Sequence, residues 1–347
     1  MNNQVYSAIM AILLGAVVCI VVFVPFVAVS YRRRGTLTFG RIVLWAAAAV
    51  YGLAIWTYTL LPLPESDGYA CAPINLDPST VVDDVRDALA TGNPLTSVFL
   101  LQLVFNVLLF VPLGFFLRVL AGRGIVVAGL VGLGISLIIE FTQVTGAWGL
   151  YPCAYRIFDV VDMMTNTSGA LIGSIIALMV PRHLRATDLS AEAAEPRPVT
   201  RWRRLLAMLC DALGFWLVAV GVTVTIALGY SVLTGITDIG EWPATVGAAA
   251  AVALWSIFTL ATGQSVGDYS VMLRYVEPRV PVVVARILRP MGGIVGWYLI
   301  GLVPLIGGQL APAFALATFI LIFFTPDSRG LPGFISTQRL VDAREPR

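Results

Sequence analysis

The chain is 347 residues long, 58% hydrophobic and only 12% charged, with a formal net charge of +2 and a mean hydropathy of +0.88. Soluble domains carry roughly 25% charged residues, so this composition excludes a water-soluble enzyme, a disordered regulator and a nucleic-acid binder. It describes an integral membrane protein with several crossings. All 22 basic residues are arginine, and there is a single histidine, His183. Lysine-dependent chemistry is thereby excluded, and His-built metal sites and Ser-His-Asp hydrolysis are disfavoured. No cofactor and no metal is expected.

Apolar stretches of about 20 residues, the length that crosses a bilayer, predict nine spans. They fall at 4–30, 43–62, 97–118, 125–145, 162–181, 205–229, 244–262, 291–307 and 311–326. The fold class is an all-α, polytopic transmembrane helix bundle with five spans before a polar stretch and four after it. The first span ends in Arg32-Arg33-Arg34, the reverse of a secretory leader. By the positive-inside rule that run is cytoplasmic, which puts the N-terminus outside and the C-terminus in the cytoplasm. This arrangement places 20 of the 22 arginines on the cytoplasmic side and leaves only Arg86 and Arg156 outside. The split between the last two spans rests on Gly307-Gly308 and Pro312, which permit a turn.

Residues 182–203, rich in Pro, Ala and Glu, read as a flexible cytoplasmic linker between a domain at 1–181 and one at 204–347. His183, at the start of that linker, reads as exposed. No internal repeat is visible, so an inverted-repeat transporter lacks its usual sign. Cys71 and Cys153 both fall on extracytoplasmic loops, where thiols oxidise, and a disulfide between them is expected. Cys19 and Cys210 lie in spans.

An ionisable residue inside a span is costly and marks function by default. The first half gathers such residues in one place. Glu140 and Gln143 sit three apart near the outer end of the fourth span, followed by Arg156, Asp159, Asp162 and Asn166. Asp159, Asp162 and Asn166 share a helix face at i, i+3 and i+7, and Gly169 and Gly173 continue it as a small-residue stripe suited to close helix contact. In the third span Gln102 and Asn106 share a face, deeper in the membrane. Three carboxylates against Arg156 leave a formal −2 in a partly dry site. Protonation, a bound cation, or a cationic or hydrogen-bond-donating ligand would each resolve it. The competing reading is a staple in which Arg156 and the acids pin a loop to helix ends; catalysis is a third.

These residues resemble the VanZ-like family. The resemblance runs through Asn106, Phe110, Pro112, Leu113 and Gly114, then Glu140 and Gln143, then Arg156, Asp159, Asp162, Asn166, Gly169 and Gly173. Asn75-Leu76-Asp77-Pro78 resembles a short upstream element of the same family, and the whole covers roughly 45–180. It implies an envelope membrane protein, and some members are implicated in teicoplanin-type glycopeptide resistance; it implies no catalytic residues. The second half, roughly 200–342, resembles the RDD family of membrane domains. Arg204, Ala207 and Asp211 match its opening motif, and Arg204 and Asp211 are expected to pair across two turns of one helix. Gly263 to Asp268 resembles a family loop, with Asp268 where lysine is usual. Pro332 and Gly333 depart from its closing segment.

Elsewhere, Pro281 to Pro290 reads as a surface helix lying on anionic lipid with Arg286 and Arg289. Trp148, Trp202, Trp242 and Trp297 read as interface anchors. Glu65, Asp67, Asp77, Asp83, Asp84 and Asp87 read as a solvated acidic face. The leading expectation is a non-enzymatic protein of the bacterial plasma membrane, in contact with membrane lipids, whose outer cluster binds a cell-wall, lipid-linked or glycopeptide ligand and contributes to resistance. A transporter or ion-coupled antiporter using Asp211 is the alternative, and a hydrolase or transferase on a polyprenyl phosphate the minor one. Oligomeric state is not encoded legibly.

Overall fold

A computed structural model describes residues 3–61, 63, 69–90, 97–181, 185, 193–236 and 238–346. Glu65, Asp67 and residues 182–184 (His183 among them) and 186–192 of the expected linker lie outside them. The helices are α1 (Asn3–Arg34), α2 (Phe39–Leu60), α3 (Thr80–Ala90), α4 (Val98–Ala121), α5 (Ile125–Val144) and α6 (Val160–Ile176). After these come α7 (Arg201–Thr234), α8 (Trp242–Thr262), α9 (Val266–Ser270), α10 (Val282–Met291), α11 (Ile294–Gly301), α12 (Gly307–Phe324) and α13 (Gly330–Ile335). Two small sheets complete the fold. In the first, β1 (Ile74–Asn75) runs parallel to β2 (Phe158–Asp159). In the second, β3 (Leu273–Val276) runs antiparallel to β4 (Arg339–Asp342).

Among the described residues eight helices are long and apolar enough to cross a membrane, and α10 with α11, bent by 56°, can make a ninth. The expected span at 291–307 is therefore not one helix. It breaks at Gly292-Gly293, where the chain runs against residue 332: a Cβ on Gly292 would sit 2.7 Å from the Pro332 Cα. Eight residues of α11 rise only about 12 Å, too little to cross alone. Because β3 pairs with β4, the chain between them leaves one end of the bundle and returns to it. α12 is one leg, and α10 with α11 is either a broken span or a re-entrant loop by length and composition. In the expected surface helix at 281–290, Val282, Val283, Val284 and Ile287 are exposed as a helix lying on lipid would present them, but Arg289, expected to face the lipid headgroups, is buried.

The chain divides into two compact units, 1–19 with 38–188, and 20–37 with 189–347. The second half of α1 thus belongs with the later residues rather than with the expected 1–181 domain. Residues 193–203, placed in the linker by sequence, are anchored: Arg344 Nη1 donates to the Glu195 carbonyl at 3.2 Å, and the Arg197 amide donates to Asp342 at 3.1 Å. The core of the second unit packs Phe215, Ala251, Trp255 and Val295.

In the first unit Ile55, Phe110 and Ile139 form the core, and Tyr51 donates its hydroxyl to the Leu109 carbonyl. α4 and α6 touch backbone to backbone, with Gly169 and Gly173 against the carbonyls of Val107 and Val111, and Gly114 against that of Ala170. Cys71 and Cys153 form a disulfide with their Cα atoms 5.6 Å apart across 82 positions of chain. The Ala72 amide donates to the Ala154 carbonyl beside it, at 2.9 Å. Closing so long a loop restricts the unfolded chain, so the Cys71→Ser/Cys153→Ser double variant should lose about 2–4 kcal/mol. Thermal unfolding in detergent with and without reductant checks this. Wild type in reductant should match the variant, and equal midpoints throughout would show that the strand pairing holds the loops without the bond.

Candidate functional site

The site begins at the end of α5, where one turn of helix points Glu140 and Gln143 the same way. Beyond Val144 the chain reverses through left-handed backbone at Gly146, Ala147 and Trp148, with φ of 61°, 54° and 62°. Gly146 has no room for a side chain, since a Cβ would lie 2.5 Å from the Tyr151 carbonyl oxygen. The reversal carries the chain through Cys153 into β2, whose last residue, Asp159, caps α6 by accepting from the Val161 amide at 2.8 Å. The Asp159 amide donates to Glu140 Oε2 at 3.1 Å, which ties β2 to α5.

Asn75 enters by strand pairing. β1 sets it opposite Asp159, and its Nδ2 donates to Asp159 Oδ1 and to Thr80 Oγ1, both at 3.2 Å. Its own Oδ1 accepts from the Asp77 amide at 3.1 Å. Hydrogen bonds from Ser79 hold the Asp77 carboxyl below the usual carboxylate range. The family-like motif at 75–78 signalled this segment, but not its target across 84 residues.

One turn into α6, Asp162 Oδ1 accepts from Asn106 Nδ2 at 2.6 Å, and Gln102 lines a cavity with it. Next along the face, Asn166 Nδ2 donates to Ser136 Oγ at 2.9 Å, while its Oδ1 is buried without a partner among the described residues. Gln143 Nε2 donates to the Thr59 carbonyl at 2.8 Å. Ser136 and Thr59 had no signal beyond being polar residues in apolar spans.

Together these side chains wall a cavity of about 480 Å³. Asn106, Glu140, Gln143, Arg156, Asp162 and Asn166 line it, with Val98, Leu101 and Phe105 on its apolar side. Of the seven expected residues only Asp159 stays outside, engaged by Asn75 and the helix cap. Glu140 is 2% exposed. Arg156 is exposed and donates to the Leu61 carbonyl at 3.4 Å; among the described residues it forms no ion pair. The carboxylates are thus held by amides rather than by arginine. The wall is rich in acceptors, which suits a ligand bearing hydrogen-bond donors or positive charge. Among the described residues no three His, Cys, Asp or Glu side chains are placed to hold a metal ion.

In the second unit the expected Arg204–Asp211 pair is not formed directly. Seven residues of helix separate the two by about 10.5 Å along the axis, and each finds a nearer partner. Arg204 Nη1 bonds Asp268 Oδ1. Asp211 accepts from Ser265 Oγ at 2.6 Å, the Gly267 amide at 2.8 Å and Trp255 Nε1 at 2.9 Å. Asp268, where the resemblance had suggested a missing lysine, is also the capping partner of Ser265.

No curated protein and no solved structure matches the chain. The comparisons lend no support to the RDD-like reading of 200–342. Residues 48–181 match the VanZ/LLP1 family model, and the whole cavity falls within that stretch: the chain carries a VanZ-like domain within a helical, membrane-spanning protein.

Proposed function

We propose that the chain is a non-enzymatic, multi-pass protein of the bacterial plasma membrane whose VanZ-like domain binds an amphiphilic cell-envelope ligand, a lipid-linked cell-wall intermediate or a glycopeptide antibiotic. The cavity carries this reading. Its acceptors, Glu140, Asp162 and the unpartnered Asn166 Oδ1, face a donor-rich head, while Val98, Leu101 and Phe105 offer an apolar wall. The Cys71–Cys153 disulfide, formed beside the cavity, and the arginine distribution support an extracytoplasmic mouth. The antiporter alternative is weaker, because Asp211 spends its lone pairs on three donors and so acts as an anchor for the 265–267 segment.

The test has two parts. In a sensitive Gram-positive host, wild type should raise resistance to teicoplanin, measured beside vancomycin, and Glu140→Gln at matched expression should not. With purified protein, Glu140→Gln should weaken binding of the protective antibiotic about tenfold or more, the scale of one charge-assisted hydrogen bond. Binding unchanged in both Glu140→Gln and Arg156→Ala would sink the cavity as the site.

A further inference from the structure

The second unit contains a cavity of its own. About 520 Å³ in volume, it lies among α7, α11 and α12 and is walled by Phe215, Trp216, Trp297, Tyr298 and Phe314, with Arg204 and Asp211 at one end. At that end it adjoins a small pocket of about 30 Å³ that shares Arg204, Gly293, Ile294 and Pro332 with it. Arg289 lines the small pocket. It is 3% exposed, and among the described residues its Nε, Nη1 and Nη2 all lack a hydrogen-bond partner; the Nε of the equally buried Arg204 lacks one too. The face of Tyr275 lies 4.6 Å from the Arg289 guanidinium. A ring face favours the cation but accepts no strong hydrogen bond. Orphaned donors on a buried charge are expensive, so this position calls for an acceptor.

We propose that the joined cavities bind a membrane lipid with an anionic headgroup, the phosphate or carboxylate seated on Arg289 and Arg204 Nε and an acyl chain lying in the apolar part. The count of free donors favours this occupant. Asp268 is engaged by Arg204 and Ser265, and Asp211 by three donors. Arg204 and Arg289 balance these two carboxylates in charge, and the four donors left over, three on Arg289 and one on Arg204, are what an anionic headgroup would satisfy. Shape favours it as well. The lining residues on α7 run from Arg204 to Ala219, about 22 Å along the helix, against about 15 Å for the hydrocarbon of one leaflet, half the bilayer core. The side is open, since Trp216 is 57% exposed. A lone water would fit the small pocket but would satisfy only one or two of the orphaned donors.

The test is lipid binding to the purified, delipidated full-length protein, read by native mass spectrometry. The probes are phosphatidylglycerol, phosphatidylcholine and inorganic phosphate. Wild type should prefer phosphatidylglycerol over phosphatidylcholine about tenfold, the scale of one charged hydrogen bond, and inorganic phosphate alone should not compete. Arg289→Gln should abolish the headgroup preference. Ala315→Trp, which fills the apolar part and leaves Arg289 untouched, should weaken both lipids. No headgroup preference in wild type would overturn the proposal and leave ordered water as the occupant. So would a preference that survives Arg289→Gln, or competition by free phosphate with binding unaffected by Ala315→Trp.

Discussion

Replacing Asp342 by asparagine should destabilise the second unit by about 3–5 kcal/mol, the range for breaking a buried ion pair by removing one partner. Asp342 is 0% exposed. Its Oδ2 accepts from Arg203 Nη1 at 2.7 Å and from the Arg197 amide at 3.1 Å, and its Oδ1 accepts from the Arg344 amide at 2.8 Å. Asparagine would put an NH₂ group where only donors point. It would also leave Arg203 uncompensated, with the Arg344 guanidinium, now 3.8 Å from Asp342 Oδ2, as a second positive charge close by. Arg203 cannot swing away, because Nε and Nη2 are held by the carbonyls of Val271 and Met272 at 2.8 and 2.5 Å. The loss should be measured by SDS-induced unfolding and again by thermal midpoint across a salt series. A surface pair would lose its contribution as salt screens it. For this one the difference between wild type and variant should persist at about 1 M salt, where the screening length is near 3 Å. A deficit under about 1 kcal/mol would mean that β4 is held by the strand pairing alone.

Arg203 also shows where sequence reading stops. Counting arginines placed it at a membrane boundary, which says what surrounds the helix but not what the side chain touches. Its partner lies 139 positions away on a strand of four residues, too short to leave a period-two signal. Arg204 failed differently. Helix geometry proposed Asp211 because it lies on the same face, but Asp268, brought in by a capping turn, offered a carboxylate without the axial gap. The ninth crossing was legible as hydrophobicity and illegible as shape, since a glycine pair reads equally well as flexible helix or as break. By contrast, the VanZ-like half wrote its cavity into the sequence almost completely. Polar residues in apolar spans have few places to go except toward one another, and helical spacing alone put Asp162 and Asn166 on the face that meets Asn106 and Ser136. The target of Asn75, and Thr59 altogether, escaped because they act through a two-residue strand and through a backbone carbonyl.

The contact that makes this cavity geometrically well defined is the small-residue seam between α4 and α6, and a leucine there should have an effect of comparable size. At Gly173 even a Cβ would collide with the Val111 carbonyl, and the next glycine up, Gly169, meets Val107 in the same way. Backbone cannot yield as a flexible side chain does, so Gly173→Leu must drive the helices apart. The cost is about 3 kcal/mol or more, at or beyond the upper end for overpacking. Separation would also break the 2.6 Å bond from Asn106 on α4 to Asp162 on α6 and the 2.9 Å bond from Arg118 to Ser174, and with them the spacing of the cavity wall. Gly134→Leu is the matched control, because no heavy atom of the described residues lies within 4 Å of the position its Cβ would take. It adds the same bulk to a membrane helix, removes a flexible glycine, and should leave the unfolding midpoint at or above that of wild type. Fluorescence-detected size exclusion after a temperature ramp separates the two variants in one experiment. Equal midpoints would show that α4 and α6 are not packed through this seam, and the cavity they frame would then need a different support.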